Sequence, residues 1–232
     1  MKSMSSTQEK RVLRWGGLAG ILGGIVFILV PVVQFGFVPP APSDPQAVVA
    51  RFPSISVPLT VGNNINLVAD IFILALFLAL YRALRGMSLA PALFGTVLSV
   101  LGLAVLFTET QTQVAFAPLS DLYHSATVTP VQQAAIAVTW QATQAMFFEL
   151  DVAAGLLLSI GFILLGVAIL QSPGFGRRLG GLTVMLGAVS LLGISLIPVL
   201  GEASIVAVLA LPVYVVLPII LGRRVYTLSK AT

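Results

Sequence analysis

The sequence predicts an all-α, polytopic membrane bundle of six transmembrane helices with both termini in the cytoplasm. Three observations predict it. The chain is 58% hydrophobic and 9% charged, with a mean hydropathy of +1.05, whereas soluble domains carry roughly 25% charged residues. Its apolar residues fall into blocks of about 18 to 25, each long enough at about 1.5 Å per residue to cross a hydrocarbon core of roughly 30 Å. The basic residues, finally, are with one exception confined to alternate connections.

The expected spans are 15–38, 58–81, 88–107, 145–170, 180–200 and 205–221. Lys2, Lys10, Arg11 and Arg14 precede the first, Arg82 and Arg85 follow the second, Arg177 and Arg178 the fourth, and Arg223, Arg224 and Lys230 the sixth. Only Arg51 falls on the opposite side. The positive-inside rule then orients the chain, with residues 1–14 and 223–232 as cytoplasmic ends of a transmembrane domain over 15–222. The first span is read as an uncleaved anchor, because its apolar stretch exceeds a signal peptide's 7 to 15 residue core and no small-x-small cleavage site is evident.

The outer loops, about 39–57 and 108–144, carry helix-start signals. In "PPAPSDPQAVVARFP" Ser43 is an N-cap with Gln46 three residues on; in "TPVQQAAIAVTW" Thr129, Pro130 and Gln132 form a capping box. A helix running from Pro130 to Leu170 would be about 60 Å long, twice the bilayer core, so its first part protrudes or bends along the outer surface. Trp140 is expected at the interface, where tryptophan concentrates. Pro31, Pro198, Pro212 and Pro218 are expected to kink their helices. Gly16, Gly20 and Gly24 suit either a dimer interface or packing within the bundle.

"RWGGLAGILGG" from Arg14 and "RLGGLTVMLGA" from Arg178 form a faint repeat, both running in one direction and so unlike an inverted transporter repeat. The segment "GFILLGVAILQSPGFGRRLGGLTVMLGAVSLL", with "LRWGGLAGIL" and "ADIFILALFLALYRALRG" more loosely, resembles a widespread bacterial family of small six-helix membrane proteins of unknown function. The resemblance implies the topology and carries no chemistry with it.

Charges inside spans cost about 2.5 to 3.5 kcal/mol at the centre on insertion scales, so each needs a reason. Asp70 lies twelve residues before Arg82, about 18 Å from the cytoplasmic edge, and is the deepest charge in the chain. Asn63, Asn66 and Asp70 share one helical face. Glu109 and Asp151 reach the outer boundary, with Gln34 at a similar level. Asp151 shares its side with Ala154, Gly155 and Ser159 and is expected to face the bundle, while Glu149, two residues earlier, points about 200° away toward headgroups. These residues define an outward-facing polar vestibule lined by Asn63, Asn66, Asp70, Glu109 and Asp151, whose oxygens suit a cation, a protonated amine or a lipid headgroup. The structural alternative is hydrogen bonding between helices, worth about 0.6 kcal/mol per bond.

Several chemistries are disfavoured. There is no cysteine, so thiolate sites and disulfides are excluded. One histidine, His124 in a polar loop, serves neither a zinc hydrolase nor a haem bundle. No lysine lies in a span for a retinal Schiff base, and Ser159, Ser190 and Ser195 have no base at membrane depth. The basic residues sit at loop ends, as orientation requires, and imply no nucleic acid. No cofactor, metal or catalytic residue is expected. The expected partners are the lipid bilayer, other membrane subunits or a second copy. The leading expectation is a non-enzymatic ligand- or lipid-binding module or accessory subunit, followed by a small transporter using Asp70 and, third, an intramembrane enzyme.

Overall fold

The computed structural model describes residues 2–112, 115–200 and 212–231. In chain order the helices are α1 (Lys2–Phe27), α2 (Leu29–Phe37), α3 (Pro45–Ala50), α4 (Phe52–Leu84), α5 (Leu89–Thr112), α6 (Phe116–Tyr123), α7 (Pro130–Leu170) and α8 (Arg177–Leu200), then a π-helical turn (Pro212–Val216) leading into α9 (Leu217–Ala231). No strand occurs among the described residues. Among the described residues, five stretches are long and apolar enough to cross a membrane: Thr7–Val33, Phe52–Leu84, Leu89–Thr110, Pro130–Leu170 and Arg177–Leu196. Their outer faces are greasy, with Ile25, Ile71, Leu78, Phe94, Leu101, Met185 and Leu192 all exposed. Apolar side chains arranged outward in this way belong in lipid. Much of the expected sixth span, 205–221, lies outside the described residues.

Glycines set the packing. A Cβ on Gly16 would collide with Ala79, and one on Gly20 would meet the Leu76 side chain at 2.8 Å, so α1 lies tightly on α4. A Cβ on Gly24 would meet the Val215 carbonyl oxygen at 2.6 Å, and Gly17 abuts Gly222 and Tyr226 in the same way, so the adjacent face of α1 lies on α9 and the turn before it. The three glycines of the first span therefore serve packing within the chain. On α7, Gly166 receives α8 at Val184, while on α5 Gly95 and Gly102 receive α7 at Leu165 and Leu158. Two groups result, α4–α1–α9 and α5–α7–α8, joined chiefly where α4 meets α5.

Every one of these pairs is antiparallel, so the start of α1, the end of α9 and the turns after α4 and α7 gather at one end. This basic end is tied by the Glu9–Arg82 ion pair, by Arg224 donating to the Gly174 carbonyl, and by the Ser88 hydroxyl donating to Gln171 at 2.6 Å. The core runs from there toward the middle through Leu84, Leu80, Phe77, Leu165, Phe162, Leu158, Leu217 and Leu221, all buried.

At the opposite end stands a cap. The helices α3 and α6, the first turns of α4 and the first half of α7 enclose Val49, Phe116, Tyr123, Ile136, Trp140 and Phe147. Phe116 packs on Trp140 at 4.2 Å and edge-on to Phe147 at 5.0 Å. His124 ties α6 to α3, its Nε2 lying 3.2 Å from the Ala50 carbonyl oxygen. Thr129 and Gln132 form the expected capping box, with the Gln132 side chain accepting from the Thr129 N–H at 2.8 Å.

Trp140 is 3% exposed inside the cap core, where Phe52 and Phe116 enclose it. Several expectations are corrected. The cap of α3 is Asp44, whose carboxylate accepts from Ala47 N–H at 2.9 Å, and Pro45 takes the first helical position; Ser43 lies one residue too early. α4 starts six residues before Pro58, which it absorbs within its second turn. The first span divides at Ile28: Pro31 has no N–H to return to the Phe27 carbonyl, and the helix breaks there, as a proline kink requires. Residues expected as short ends, 2–14 and 223–231, are helical extensions of α1 and α9. Gln34 and Pro198 lie outside the described side chains.

Candidate functional site

Helical register fixes the heights of the acidic residues. On α5, Gly95 and Gly102 are seven residues apart and touch Leu165 and Leu158, seven apart on antiparallel α7. Seven residues return a helix to nearly the same face. The next step brings Glu109 on α5 level with Asp151 on α7. Asp70 is seven residues from Phe77 on α4, and Phe77 packs edge-on to Phe162 with ring centroids 5.4 Å apart. Asp151 is eleven residues from Phe162. At about 1.5 Å per residue, Asp70 stands about 10 Å above that aromatic pair and Asp151 about 16 Å, so Asp70 lies roughly 6 Å deeper.

Asp70 is fully buried, and neither of its carboxylate oxygens has a hydrogen-bond partner among the described residues. The charges that act on it are those of Glu109 and Asp151. Glu109 is 6% exposed, with the Thr110 hydroxyl 3.5 Å from its Oε2. The cationic side chains of the described residues all lie elsewhere: the nearest to this end of the bundle, Arg51, donates to the Pro39 and Pro40 carbonyls at 2.9 and 2.7 Å. A buried, unpaired carboxylate is expensive, and a proton or a cation is what would relieve that cost.

Asp151 behaves differently from its expectation. It lies on the inward stripe of α7, and Phe147, Ala154, Gly155 and Leu158 on that stripe are buried, yet Asp151 itself is exposed. Gln144, seven residues before it and on the same face, is exposed too. The inward face of α7 thus loses burial at these two positions while Phe147, Ala154, Gly155 and Leu158 keep it. α4 changes in the same sense. Asn63 and Asn66, above Asp70 on its face, are only half-buried, whereas Ile73, Phe77 and Leu80 below it are buried. The five expected residues are thus brought to one region, with Asp70 at its floor and an apolar plug of Ile73, Phe77, Leu103, Leu158 and Phe162 beneath.

Tyr214 belongs to the region and was not anticipated from sequence. It stacks on Phe27 at 5.2 Å, and the charges of both Asp70 and Asp151 act on it. The π-helical turn presents it. Pro218 cannot donate to the Tyr214 carbonyl one turn earlier, so the helix widens there. The signal available was "PVYVVLP", a tyrosine framed by two prolines. Glu149 is exposed on the far side of α7 from Asp151, as its helical angle requires. No group of three or more histidines, aspartates or glutamates among the described residues is arranged to hold a metal ion. No family model, curated protein or solved structure matches the chain, so the reading of this site rests on the chain's own residues.

Proposed function

We propose that this chain is a non-enzymatic binding protein of the bacterial cytoplasmic membrane, crossing it six times with both termini inside and holding a cationic ligand in a vestibule that opens outward and ends at Asp70. One observation carries the reading: a fully buried carboxylate with no hydrogen-bond partner among the described residues stands below two further carboxylates. The distribution of Arg and Lys supports the orientation. The sixth crossing rests on the apolar run 205–221 in the sequence. A role as ligand-binding subunit of a larger membrane assembly uses the same site. The apolar plug below Asp70 supports binding over passage.

A second reading, a small transporter, has its own support. The break at Ile28 and the π-helical turn at Pro212–Val216 face each other through the Phe27–Tyr214 stack, and interrupted helices at mid-membrane are how transporters build ion and substrate sites.

The test is thermal unfolding of the protein in lipid nanodiscs with sodium, potassium, ethylammonium or 1,4-diammoniobutane chloride at constant ionic strength. At least one cation should raise the transition temperature in a concentration-dependent way, since a ligand of the folded state alone stabilises it by mass action. Asp70→Asn should abolish that shift. The reading is overturned if no cation stabilises the protein, or if the shift survives both Asp70→Asn and Glu109→Gln.

A further inference from the structure

The geometry points to a linear alkyl diammonium ion as the ligand: one ammonium between Glu109 and Asp151 at the upper level, the other at Asp70 below. This inference rests on the proposed cation site and goes further by naming the ligand's class and length.

Three observations carry it. First, the acids form two tiers and not a ring. Glu109 and Asp151 share a height through the heptad match of Gly95 and Gly102 with Leu165 and Leu158, and Asp70 lies about 6 Å lower by helical rise. Calcium requires six to eight oxygens at about 2.3 to 2.6 Å around one point, which tiers so separated do not supply. Second, the lower tier is a single carboxylate with no protein donor. Asp70 is 0% exposed and both of its oxygens lack partners among the described residues, so its acceptors are available to a donor arriving from above. An alkylammonium group offers three N–H donors and no acceptor, which is the complement of that carboxylate. Third, the way down is polar at the top and closed at the bottom. Gln144 and Asp151 are exposed on the inward stripe of α7, Asn63 and Asn66 are half-buried on α4, and below Asp70 the side chains of Ile73, Phe77 and Phe162 are packed.

The tier spacing sets the chain length. An extended alkyl chain advances about 1.25 Å for each bond of about 1.5 Å, so four carbons between two nitrogens span about 6 Å. Tyr214, close enough to feel both Asp70 and Asp151, lies beside this path with an aromatic ring suited to methylene and ammonium groups alike.

The test is isothermal titration of the wild-type protein in nanodiscs with α,ω-diamines of two to eight carbons, with butylamine, and with calcium chloride. The expected result is an optimum at three to five carbons, with the best diamine binding at least about tenfold more tightly than butylamine. Asp70→Asn should bring that diamine down at least to the affinity that the wild-type protein shows for butylamine. The inference is overturned if affinity shows no optimum in chain length, if butylamine equals the best diamine, or if calcium binds more tightly than either. The first two of these outcomes leave the proposed cation site standing whenever binding still depends on Asp70. Absence of binding by every cation overturns both. The chain-length series is read on the wild-type protein, so it holds even if a variant fails to fold.

Discussion

Replacing Gly17 or Gly222 by alanine tests the docking of α9 on α1, which closes one group of helices. The added Cβ on Gly17 would lie 2.5 Å from the Tyr226 backbone nitrogen and 2.7 Å from the Gly222 carbonyl oxygen; on Gly222 it would lie 2.6 Å from the Gly17 carbonyl oxygen and 2.8 Å from the Ile21 nitrogen. Ordinary contact begins near 3.4 Å. The obstructing atoms are backbone, so no rotamer change relieves them and the helices must part by most of an ångström along their contact. Overpacking costs about 1 to 3 kcal/mol, and an unyielding backbone places these substitutions toward the upper end. Gly181→Ala is the control. Its Cβ meets nothing within 4 Å, so only the helix preference for alanine, about 0.8 to 1 kcal/mol, remains. Thermal unfolding in nanodiscs should show Gly17→Ala and Gly222→Ala lowered by roughly 5 to 10 °C and Gly181→Ala unchanged or raised. Equal effects at Gly17 and Gly181 would refute the placement of α9. A change of oligomeric size in Gly17→Ala, with the monomer's stability unaltered, would refute the assignment of this glycine face to the interior.

Two further predictions follow. Trp140→Ala should cost about 3 to 5 kcal/mol, because it empties the centre of the cap core, and limited proteolysis should then cut the segment between α5 and α7 that resists cleavage in the parent. The chain has no cysteine, so single cysteines report exposure directly. Asp151→Cys and Gln144→Cys should react with a membrane-impermeant maleimide, while Leu158→Cys, about two turns below Asp151 on the same face, should not. Equal labelling at 144, 151 and 158, or none at 144 and 151, would refute the loss of burial on the inward face of α7.

How far the site could be read in the sequence depended on what each residue's surroundings are made of. Asp70 stood out because a charge in an apolar run is anomalous wherever the run lies, and its depth followed from counting to Arg82. Asn63 and Asn66 followed from their spacing on the same helix. Burial did not follow. Asp151 and Phe147 occupy one stripe of α7 and differ in exposure because of what other segments place opposite them, Phe116 of α6 in the case of Phe147, which the sequence of α7 does not contain. Tyr214 was missed for the same reason: it joins the acids only through α1 and a widened turn, a relation between segments nearly two hundred residues apart. Cap positions were legible where chemistry is local, as in the Thr129 box. They were misread where two acceptors compete within one residue of each other, as at Ser43 and Asp44. Trp140 shows the remaining limit. Its enclosure by Phe52 and Phe116 comes from segments far from it in the chain, which the sequence around Trp140 does not contain.

The continuity of α7 constrains how the molecule can move. From Pro130 to Leu170 the helix contains no second proline, and its glycines, Gly155, Gly161 and Gly166, are all pinned against α8 or α5 below the level of Asp151. Hinges need a few residues free to change φ and ψ, and this helix offers none between the cap and the bundle. Cap and bundle therefore turn as one rigid lever with Asp151 near its midpoint. A small tilt at the membrane base becomes a larger sweep at the tip. Any change in access to Asp70 must come from the elements that do carry breaks, the α1–α2 junction at Ile28 and the widened turn before α9, working against a fixed mast.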